Sequence, residues 1–433
     1  MTPAAHIEAI LELLTEIETK NRPADTIAQQ FFRSRRYIGS KDRRAIADQL
    51  FDIYRHRARL GWWLNKLHTS LAPRPLVLAY LFLVENAKAT DIEALFSGGR
   101  FAPDELNEDE QKILRRLKGH TLFHPDMPQA DSLECPLWAY ESLSKRFGNN
   151  IQEECEALLS PAPLDLRVNV LKSSRDDALK ALTASNIKAV PTPFSPLGIR
   201  IHNRLALGNL ALLKEGAIEI QDEGSQLIAL LLNPQSGERI CDFCAGAGGK
   251  TLAIAAQMNN KGRIVACDVL ERRLKQSQKR FTRAGIHNID IHPLKSERDP
   301  WVKRQKGKFD RVLVDAPCSG SGTWRRSPNA RWDGLGPNLE TLLPLQKSIL
   351  ESAARLVKEK GRLVYATCSL LPEENEEQIT RFLDNHPEFK RLPVQKAVPQ
   401  GITLPDTGDY LALTPAQHKT DGFFAAVMER TGG

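Results

Sequence analysis

From Gln221 onward the chain alternates between short apolar runs and longer amphipathic runs, and this alternation constrains the fold more than any other feature. Apolar runs separated by helix-length segments are typical of parallel sheets with helical crossovers. The sequence predicts strands at 238–243, 263–268, 289–293, 309–314 and 361–366. It predicts helices at about 249–258, 270–284, 294–306, 340–358 and 373–385, and a late antiparallel strand over Asp421–Arg430. This part of the chain is therefore expected to form an α/β domain.

Two of the predicted strands are followed by a cysteine. The segment Val312–Gly322 reads VLVDAPCSGSG and carries Asp315 and Cys318, whereas Gly361–Ser369 reads GRLVYATCS and carries Cys368. The carboxyl ends of neighbouring parallel strands meet at one edge of a sheet. If these two strands are neighbours, we expect both thiols to lie at the same edge.

The first strand of this domain runs into a glycine-rich turn, CDFCAGAGGKT at 241–251. Such a turn between strand and helix lets the backbone approach a ligand closely and points helix N–H groups at it. Asp268 ends the second strand, 268 − 246 = 22 residues after the first glycine. A carboxylate at this place accepts hydrogen bonds from ribose hydroxyls in dinucleotide-binding sheets.

Three other interpretations of the turn fit less well. A phosphate-binding P-loop needs glycine five places before Gly249, where this chain has Cys244. A zinc site at Cys241 and Cys244 lacks a second ligand pair. A nicotinamide site leaves the two thiols unexplained. S-adenosylmethionine, which has an adenosine but no pyrophosphate, suits the short turn better.

Three motifs together identify a known family. CDFCAGAGGKT, DAPCSGSGTWRR and YATCSLLPEENE closely resemble the Sun/Fmu (RsmB-type) family of S-adenosylmethionine-dependent RNA cytosine-5 methyltransferases. The resemblance extends to LRVN at Leu166–Asn169, QDEGSQ at Gln221–Gln226 and DGFFAAVMER at Asp421–Arg430. It implies a Rossmann-like methyltransferase domain at 221–433 with a mostly parallel seven-stranded sheet.

The resemblance also implies roles for individual residues. Cys368 would be the nucleophile and Cys318 would assist release of the methylated product, while Asp315 would face either the cytosine edge or the methionine part of the cofactor. The cofactor-binding residues would be Asp268, Asp315 and the turn Cys244, Ala245, Gly246, Ala247, Gly248, Gly249 and Lys250.

The sequence departs from the family at two places. Ala247 stands where the family often has proline, and the family's aspartate for the adenine amine is missing after the third strand. Ser296 or Glu297 could take its place.

The residues before Gln221 predict two further parts. Helical spacing over 1–125 and the segment FFRSRRYIGSKDRRAIADQLFDIYRHRARL resemble a NusB-like RNA-binding domain, with a boundary near 120–132. The nine basic residues of this segment could form an RNA-contacting face or a solvated helix face. Residues 133–220 are expected to form helices followed by a small α+β (RRM-like) module.

Composition bounds the class of protein. The 433 residues carry a net charge of +7, which favours an anionic partner such as structured RNA, with ribosomal RNA implied by the family. Seven thinly spread cysteines indicate free thiols and a reducing compartment, and we expect buried, inert side chains at Cys135, Cys155 and Cys267. No metal site, signal sequence or membrane span is predicted. We expect a cytoplasmic protein, and we also expect a monomer.

The function predicted from the sequence is cytosine-5 methylation of RNA, with 16S ribosomal RNA as the implied substrate. Transfer RNA methylation, DNA cytosine methylation and a non-catalytic RNA-binding or assembly role are the alternatives. Cys368 argues against the DNA enzymes, which use the thiol after proline in motifs like the one at Asp315–Gly322. Trp324, Arg325, Arg326 and Arg331 could stack an extruded base and contact its phosphates, or could lie in a plain surface loop.

Overall fold

The computed structural model describes residues 1–20, 22–202, 210–334 and 336–432, and the chain divides into two compact units. The first unit comprises Met1–Ser160 and Trp324–Gly336, and the second comprises Pro161–Thr323 and Pro337–Gly433. Residues 21 and 203–209, which belong to the predicted NusB-like domain and α+β module, lie outside the described ranges. Across those ranges, no helix is both long and apolar enough to span a membrane.

The first unit is helical, as predicted for this part of the sequence. Its described residues form α1 (Pro3–Thr19), α2 (Ala24–Ser34), α3 (Ser40–Arg55), α4 (Arg57–Lys66), α5 (Pro73–Leu83), α6 (Ala89–Leu95), α7 (Glu108–Leu117), α8 (Gln129–Ser132), α9 (Leu137–Phe147) and α10 (Ile151–Leu159). Ile7, Ile10 and Leu14 share one face of α1 and are buried in the core with α3 and α5. The helical spacing of apolar residues therefore predicts the buried face correctly.

The predicted boundary near 120–132 falls inside the first unit. Glu134 is fully buried there and accepts hydrogen bonds from Arg59 Nε (2.9 Å) and from the backbone N–H of Ala58 (2.7 Å). These bonds connect the start of α4 to the chain just before α9, so the unit continues to Ser160.

Much of the predicted basic face is occupied by contacts within the first unit. Arg35 pairs with Glu12 at 2.6 Å, Arg59 pairs with Glu134, and Arg43 donates to the Ile38 carbonyl at 2.7 Å. Arg44 and Arg55 lie 3.7 and 3.8 Å from aspartates one helical turn away. Five of the nine basic residues thus have partners inside the unit, but Arg44 remains 58% exposed.

The second unit begins with the predicted α+β module. Its strands are β1 (Leu164–Val168), β2 (Ala189–Pro191), β3 (Gly198–Ile201) and β4 (Ile218–Ile220), and its helices are α11 (Arg175–Ala184) and α12 (Ala211–Lys214). The strands form an antiparallel sheet of order β2-β3-β1-β4. Ala178 and Leu182 of α11 are buried against Leu166 and Val168 of β1.

The remaining strands of this unit form one mixed sheet. They are β5 (Arg239–Asp242), β6 (Arg263–Asp268), β7 (Ile289–Pro293), β8 (Phe309–Asp315), β9 (Val357–Thr367), β10 (Phe389–Leu392), β11 (Leu411–Leu413) and β12 (Phe423–Arg430). The order is β10-β12-β9-β8-β5-β6-β7, and β11 also pairs with β12. Strands β5 to β9 are parallel, whereas β12 runs antiparallel to β9, β10 and β11. The α/β domain and its late antiparallel strand are confirmed, but the predicted count of seven strands is wrong because β11 adds an eighth among the described residues.

Helices connect these strands and cover the sheet. They are α13 (Glu223–Leu232), α14 (Gly249–Gln257), α15 (Glu271–Ala284), α16 (Pro300–Arg304), α17 (Leu339–Ala354), α18 (Glu376–Asn385), α19 (Val394–Ala397) and α20 (Pro415–His418). The predicted helix at 294–306 is reduced to the single short helix α16. Strand order reverses at β5, which lies between β6 and β8. Ligands of open α/β sheets bind at such a switch point, beyond the carboxyl ends of the strands.

Candidate active site

A cleft of about 560 Å³ lies at the carboxyl ends of β5, β6, β8 and β9. Of the residues predicted as catalytic or cofactor-binding, those that line it are Cys244, Ala245, Gly246, Ala247, Gly249, Lys250, Asp268, Asp315, Cys318 and Cys368. Gly248 differs, because it is the N-cap residue before α14 with a φ of +77°, and a Cβ there would approach the Phe281 ring to 2.6 Å. Its role is to fit the turn against α15.

The glycine turn is fixed to the end of β6 by backbone contacts. Gly246, at a φ of +54°, donates its N–H to Asp268 Oδ2 at 2.7 Å, and Ala245 donates to the Cys267 carbonyl at 2.8 Å. The N–H of Leu270 donates to Asp268 Oδ1 at 2.8 Å. The Asp268 carboxylate is therefore held at the cleft wall, and each of its oxygens can accept a further hydrogen bond.

Lys250 and Asp315 form an ion pair within the cleft. Lys250 Nζ donates to Asp315 Oδ2 at 2.7 Å; the Lys250 side chain is 9% exposed and that of Asp315 is 33% exposed. Burial favours the neutral amine, yet the Asp315 carboxylate outweighs it and raises the pKa of Lys250 above its usual value. The lysine stays charged and holds the carboxylate in place.

The two thiols of the sequence motifs lie together. Residues of β8 and β9 pair in parallel up to Asp315 and Ala366, and both cysteines follow that point. The Sγ atoms of Cys318 and Cys368 are 3.4 Å apart, and both cysteines are free and partly buried. The hydrogen bond to Cys368, together with burial, raises the pKa of Cys318 well above its usual value. Cys318 therefore keeps its proton and can donate it toward the Cys368 sulfur.

Asp242 is a cleft residue that the sequence analysis missed. It ends β5 and is 1% exposed; one carboxylate oxygen accepts from the Thr251 hydroxyl at 2.7 Å. The other oxygen, Oδ1, is buried without a hydrogen-bond partner among the described residues. Burial raises the pKa of Asp242 to about 7. The signal in the sequence was a carboxylate at a strand end immediately before the glycine turn.

The segments LRVN and QDEGSQ, which carry part of the family resemblance, also reach the glycine turn. Arg167 of β1 is buried and donates to the Gly249 carbonyl at 2.8 Å and to the side-chain oxygen of Gln221. From the outside of the turn, Arg280 donates to the Ala247 carbonyl at 2.6 Å. Burial lowers the pKa of Arg167 to about 10, so the guanidinium remains charged at neutral pH. Two cations thus hold the carbonyl groups of the turn.

The structure separates the two candidates for the adenine contact. Glu297 lines the cleft and accepts a hydrogen bond from the Ser348 hydroxyl at 2.8 Å. The Ser296 hydroxyl accepts from the backbone N–H of Arg298 at 3.2 Å and does not line the cleft. Glu297 is the better placed of the two.

The expectation of an exposed loop after Cys318 is wrong for three of its four named residues, whereas Arg326 is exposed. Trp324, Arg325 and Arg331 are 1%, 5% and 3% exposed and belong to the first unit. The Arg331 guanidinium donates to the carbonyls of Glu134 (3.0 Å) and Leu158 (3.1 Å) and lies 5.0 Å from the Trp324 ring. The side chains of Trp324, Arg325 and Arg331 therefore pack inside the helical unit.

The thiols outside the cleft are buried, as expected. Cys135, Cys155 and Cys267 are at most 5% exposed. The described residues contain no cluster of three side chains that could hold a metal ion.

Two family models match this chain. Residues 229–429 match the model for "16S rRNA methyltransferase RsmB/F", and residues 135–207 match the model for the "Methyltr_RsmF/B-like, ferredoxin-like domain".

Relatives and solved structures agree. The chain is 30% identical over 407 residues to ribosomal RNA small subunit methyltransferase B of Photorhabdus laumondii. This alignment covers 91% of this chain and 92% of the relative. It is 39% identical over 300 residues to the probable ribosomal RNA small subunit methyltransferase B of Synechocystis sp., covering 68% of this chain and 66% of that relative. The crystal structure of the protein PH0851 superimposes with a TM-score of 0.80 and 26% identity over 99% of both chains.

Proposed function

The chain belongs to the 16S rRNA methyltransferase RsmB/F family, and we propose that it methylates carbon 5 of a cytosine in small-subunit ribosomal RNA. S-adenosylmethionine is the methyl donor of this family. The observation that carries the proposal is the pair of free thiols, 3.4 Å apart, at the ends of two adjacent parallel strands. A single nucleophilic thiol could serve many reactions, but two thiols in contact suit a reaction in which one adds and the other assists its departure.

The residues of the cleft fit the cofactor. Asp268 can accept from ribose hydroxyls, and Glu297 can accept from an adenine amine. Asp242 Oδ1 is a buried hydrogen-bond acceptor without a partner among the described residues, and the ammonium group of the methionine part can donate to it. The bound cofactor contributes an electrophilic methyl group; the protein's residues orient it beside the thiols.

Cytosine carbon 5 needs covalent help to accept a methyl group, because the ring is electron-poor. The Cys368 thiolate adds to carbon 6, and the ring electrons move to carbon 5, which can then take the methyl group. The electron pair of the broken sulfur–methyl bond would stay on the sulfur of the donor, which leaves as a neutral thioether. A base then takes the proton of carbon 5, the carbon 6–sulfur bond breaks, and its electron pair returns to Cys368. The thiol of Cys318 stabilises that departing sulfur by hydrogen bonding, which its raised pKa supports.

The decisive experiment incubates the purified protein with methyl-labelled S-adenosylmethionine and either 16S ribosomal RNA, transfer RNA or a DNA duplex, followed by bisulfite mapping of the products. We expect one cytosine of 16S ribosomal RNA to acquire a 5-methyl group. Methylation of transfer RNA alone would identify the alternative substrate. Binding of 16S ribosomal RNA without cofactor binding or methylation would favour a non-catalytic assembly role.

Cofactor affinity is expected to rise with pH through the titration of Asp242. The folded-state pKa is about 7, so the carboxylate that pairs with an ammonium group is mostly protonated at pH 6 and mostly ionised at pH 8. We expect about tenfold tighter binding of S-adenosylmethionine at pH 8 than at pH 6, measured by isothermal titration calorimetry. Asp242→Asn should bind weakly at both values, while Asp290→Asn, which alters a carboxylate that is 51% exposed, should keep the normal pH dependence. An unchanged pH dependence in Asp242→Asn would contradict the assignment.

Loss of the Arg167 side chain is expected to loosen the glycine turn. Arg167→Met leaves the Gly249 carbonyl and the Gln221 side chain without their donor, and removing a charged hydrogen bond of this kind costs about 1.5–3 kcal/mol. We expect about tenfold to hundredfold weaker binding of S-adenosylmethionine. Lys180→Met, at an 80% exposed side chain on α11 of the same module, is the matched control and should bind normally. Equal affinities of the two variants would show that Arg167 does not support the turn.

A further inference from the structure

Glu374 is a buried carboxylate between the two cysteine loops. It ends the 3₁₀ turn Pro372–Glu374 and has no exposed surface. Its Oε1 accepts from the backbone N–H of Ser319 at 2.8 Å, and its Oε2 accepts from the Ser319 hydroxyl at 2.5 Å and from the Ser369 hydroxyl. Ser319 follows Cys318 and Ser369 follows Cys368, so one carboxylate binds the residue next to each thiol.

Gln346 of α17 extends this contact to the other side of Cys318. Its amide nitrogen donates to Glu374 Oε1 at 2.9 Å and to the Pro317 carbonyl at 2.9 Å. The residues before and after Cys318 are therefore both held by the Glu374–Gln346 pair.

Ser321 and the backbone join the two loops directly. The hydroxyls of Ser321 and Ser369 are 3.1 Å apart, and the N–H of Leu370 donates to the Ser321 hydroxyl at 2.8 Å. Gly322 donates its N–H to the Cys368 carbonyl at 3.0 Å. These bonds close the loops on each other, and the Glu374 carboxylate adds to them by accepting hydrogen bonds from both loops.

We propose that Glu374 is the positioning residue that holds Cys318 and Cys368 in contact, without itself touching the substrate or cofactor. The expected effect of Glu374 on methylation rests on the proposed function. Its effect on the contact between the two thiols is independent of that function. Four hydrogen bonds from neutral donors converge on this carboxylate, three of them from the serines that follow the thiols. A buried carboxylate is stable only while its donors stay in place, so its charge requires the loops to remain closed.

The charge of Glu374 also acts on the proton shared by the thiols. After the hydrogen bond to Cys368 and burial, the negative charge of Glu374 contributes to the raised pKa of Cys318. The carboxylate thus helps Cys318 to keep the proton that the proposed product release requires.

The contact of the thiols can be measured without RNA or cofactor as the rate of disulfide formation with diamide. Each thiol gives up one proton and one electron, and a sulfur–sulfur bond forms. Diamide takes up the two protons and two electrons and is reduced to the hydrazine. In the folded 433-residue chain we expect Glu374→Ala to form the Cys318–Cys368 disulfide at least tenfold more slowly than the unaltered chain. Glu374→Gln, which keeps one acceptor oxygen, should be intermediate, and Ser319→Ala should also be slower. Peptide mass spectrometry identifies the linkage.

Glu377→Gln is the matched control, because Glu377 is a 41% exposed residue of α18 that pairs with Arg381. It should react at the normal rate, and all variants should react equally in guanidinium chloride. A normal disulfide rate in folded Glu374→Gln and Ser319→Ala would overturn the proposal, even if Glu374→Ala does not fold. In methylation assays we expect Glu374→Gln to lower kcat by about tenfold to hundredfold with an unchanged KM for S-adenosylmethionine. Slower disulfide formation in a protein that methylates nothing would leave this proposal standing while refuting the proposed function.

Discussion

Replacing Cys368 by alanine is expected to abolish methyl transfer to RNA, with a loss on the order of 10³-fold or more, the scale seen when a catalytic nucleophile is removed. Without the sulfur at the end of β9, nothing adds to carbon 6, and carbon 5 stays too electron-poor to take the methyl group. Single-turnover incorporation of labelled methyl groups into 16S ribosomal RNA measures the loss. Binding of S-adenosylmethionine should change little, because its proposed contacts are made by Asp268, Asp242 and Glu297.

The control for this variant is Cys155→Ala, which removes a buried thiol from α10 of the helical unit. It should methylate within about twofold of the unaltered chain. Full turnover by Cys368→Ala together with an inactive Cys318→Ala would reverse the roles of the two thiols. That pattern would match the use of the thiol after proline in DNA cytosine methyltransferases.

The sequence predicts the catalytic edge of the sheet well because the information there is local. Each strand is an apolar run that ends on a functional residue, and parallel pairing of β8 and β9 follows from their crossover helix. The sequence therefore predicts that Cys318 and Cys368 share one edge of the sheet if β8 and β9 are neighbours, and the two strands do pair. The sequence does not predict the short strands β10 and β11. They have four and three residues, too few to show the alternation of apolar and polar residues that indicates a strand.

Long-range contacts account for the rest. Nothing near Arg331 in the sequence indicates that it donates to the carbonyls of Glu134 and Leu158, more than 170 residues away. Nor does the sequence near Trp324 indicate that its ring packs against the ring of Trp138. Aromatic and arginine side chains serve RNA binding and core packing equally well, so composition alone could not decide between them. Arg167 and Glu374 were missed for the same reason: each acts on a segment that lies far along the chain or in another element, and only the fold brings them there.

Replacing Cys318 by alanine is expected to trap the RNA on the enzyme. Cys368 can still add to carbon 6 and methyl transfer can still occur, but the departing sulfur loses the hydrogen-bond donor that lies 3.4 Å away. We expect a covalent protein–RNA adduct that survives denaturing gel electrophoresis and accumulates toward one RNA per protein, with multiple-turnover methylation reduced by about 10²-fold or more.

Nuclease digestion and mass spectrometry of this adduct test both thiols at once. The peptide that contains Cys368 should carry a cytidine nucleotide with one added methyl group, because release fails only after methyl transfer. The double variant Cys318→Ala/Cys368→Ala should form no adduct, since it lacks the nucleophile. Rapid turnover by Cys318→Ala without an adduct would show that release needs no second thiol. An adduct on Cys368 that lacks the methyl group would instead place the role of Cys318 before methyl transfer, and would refute its assignment to product release.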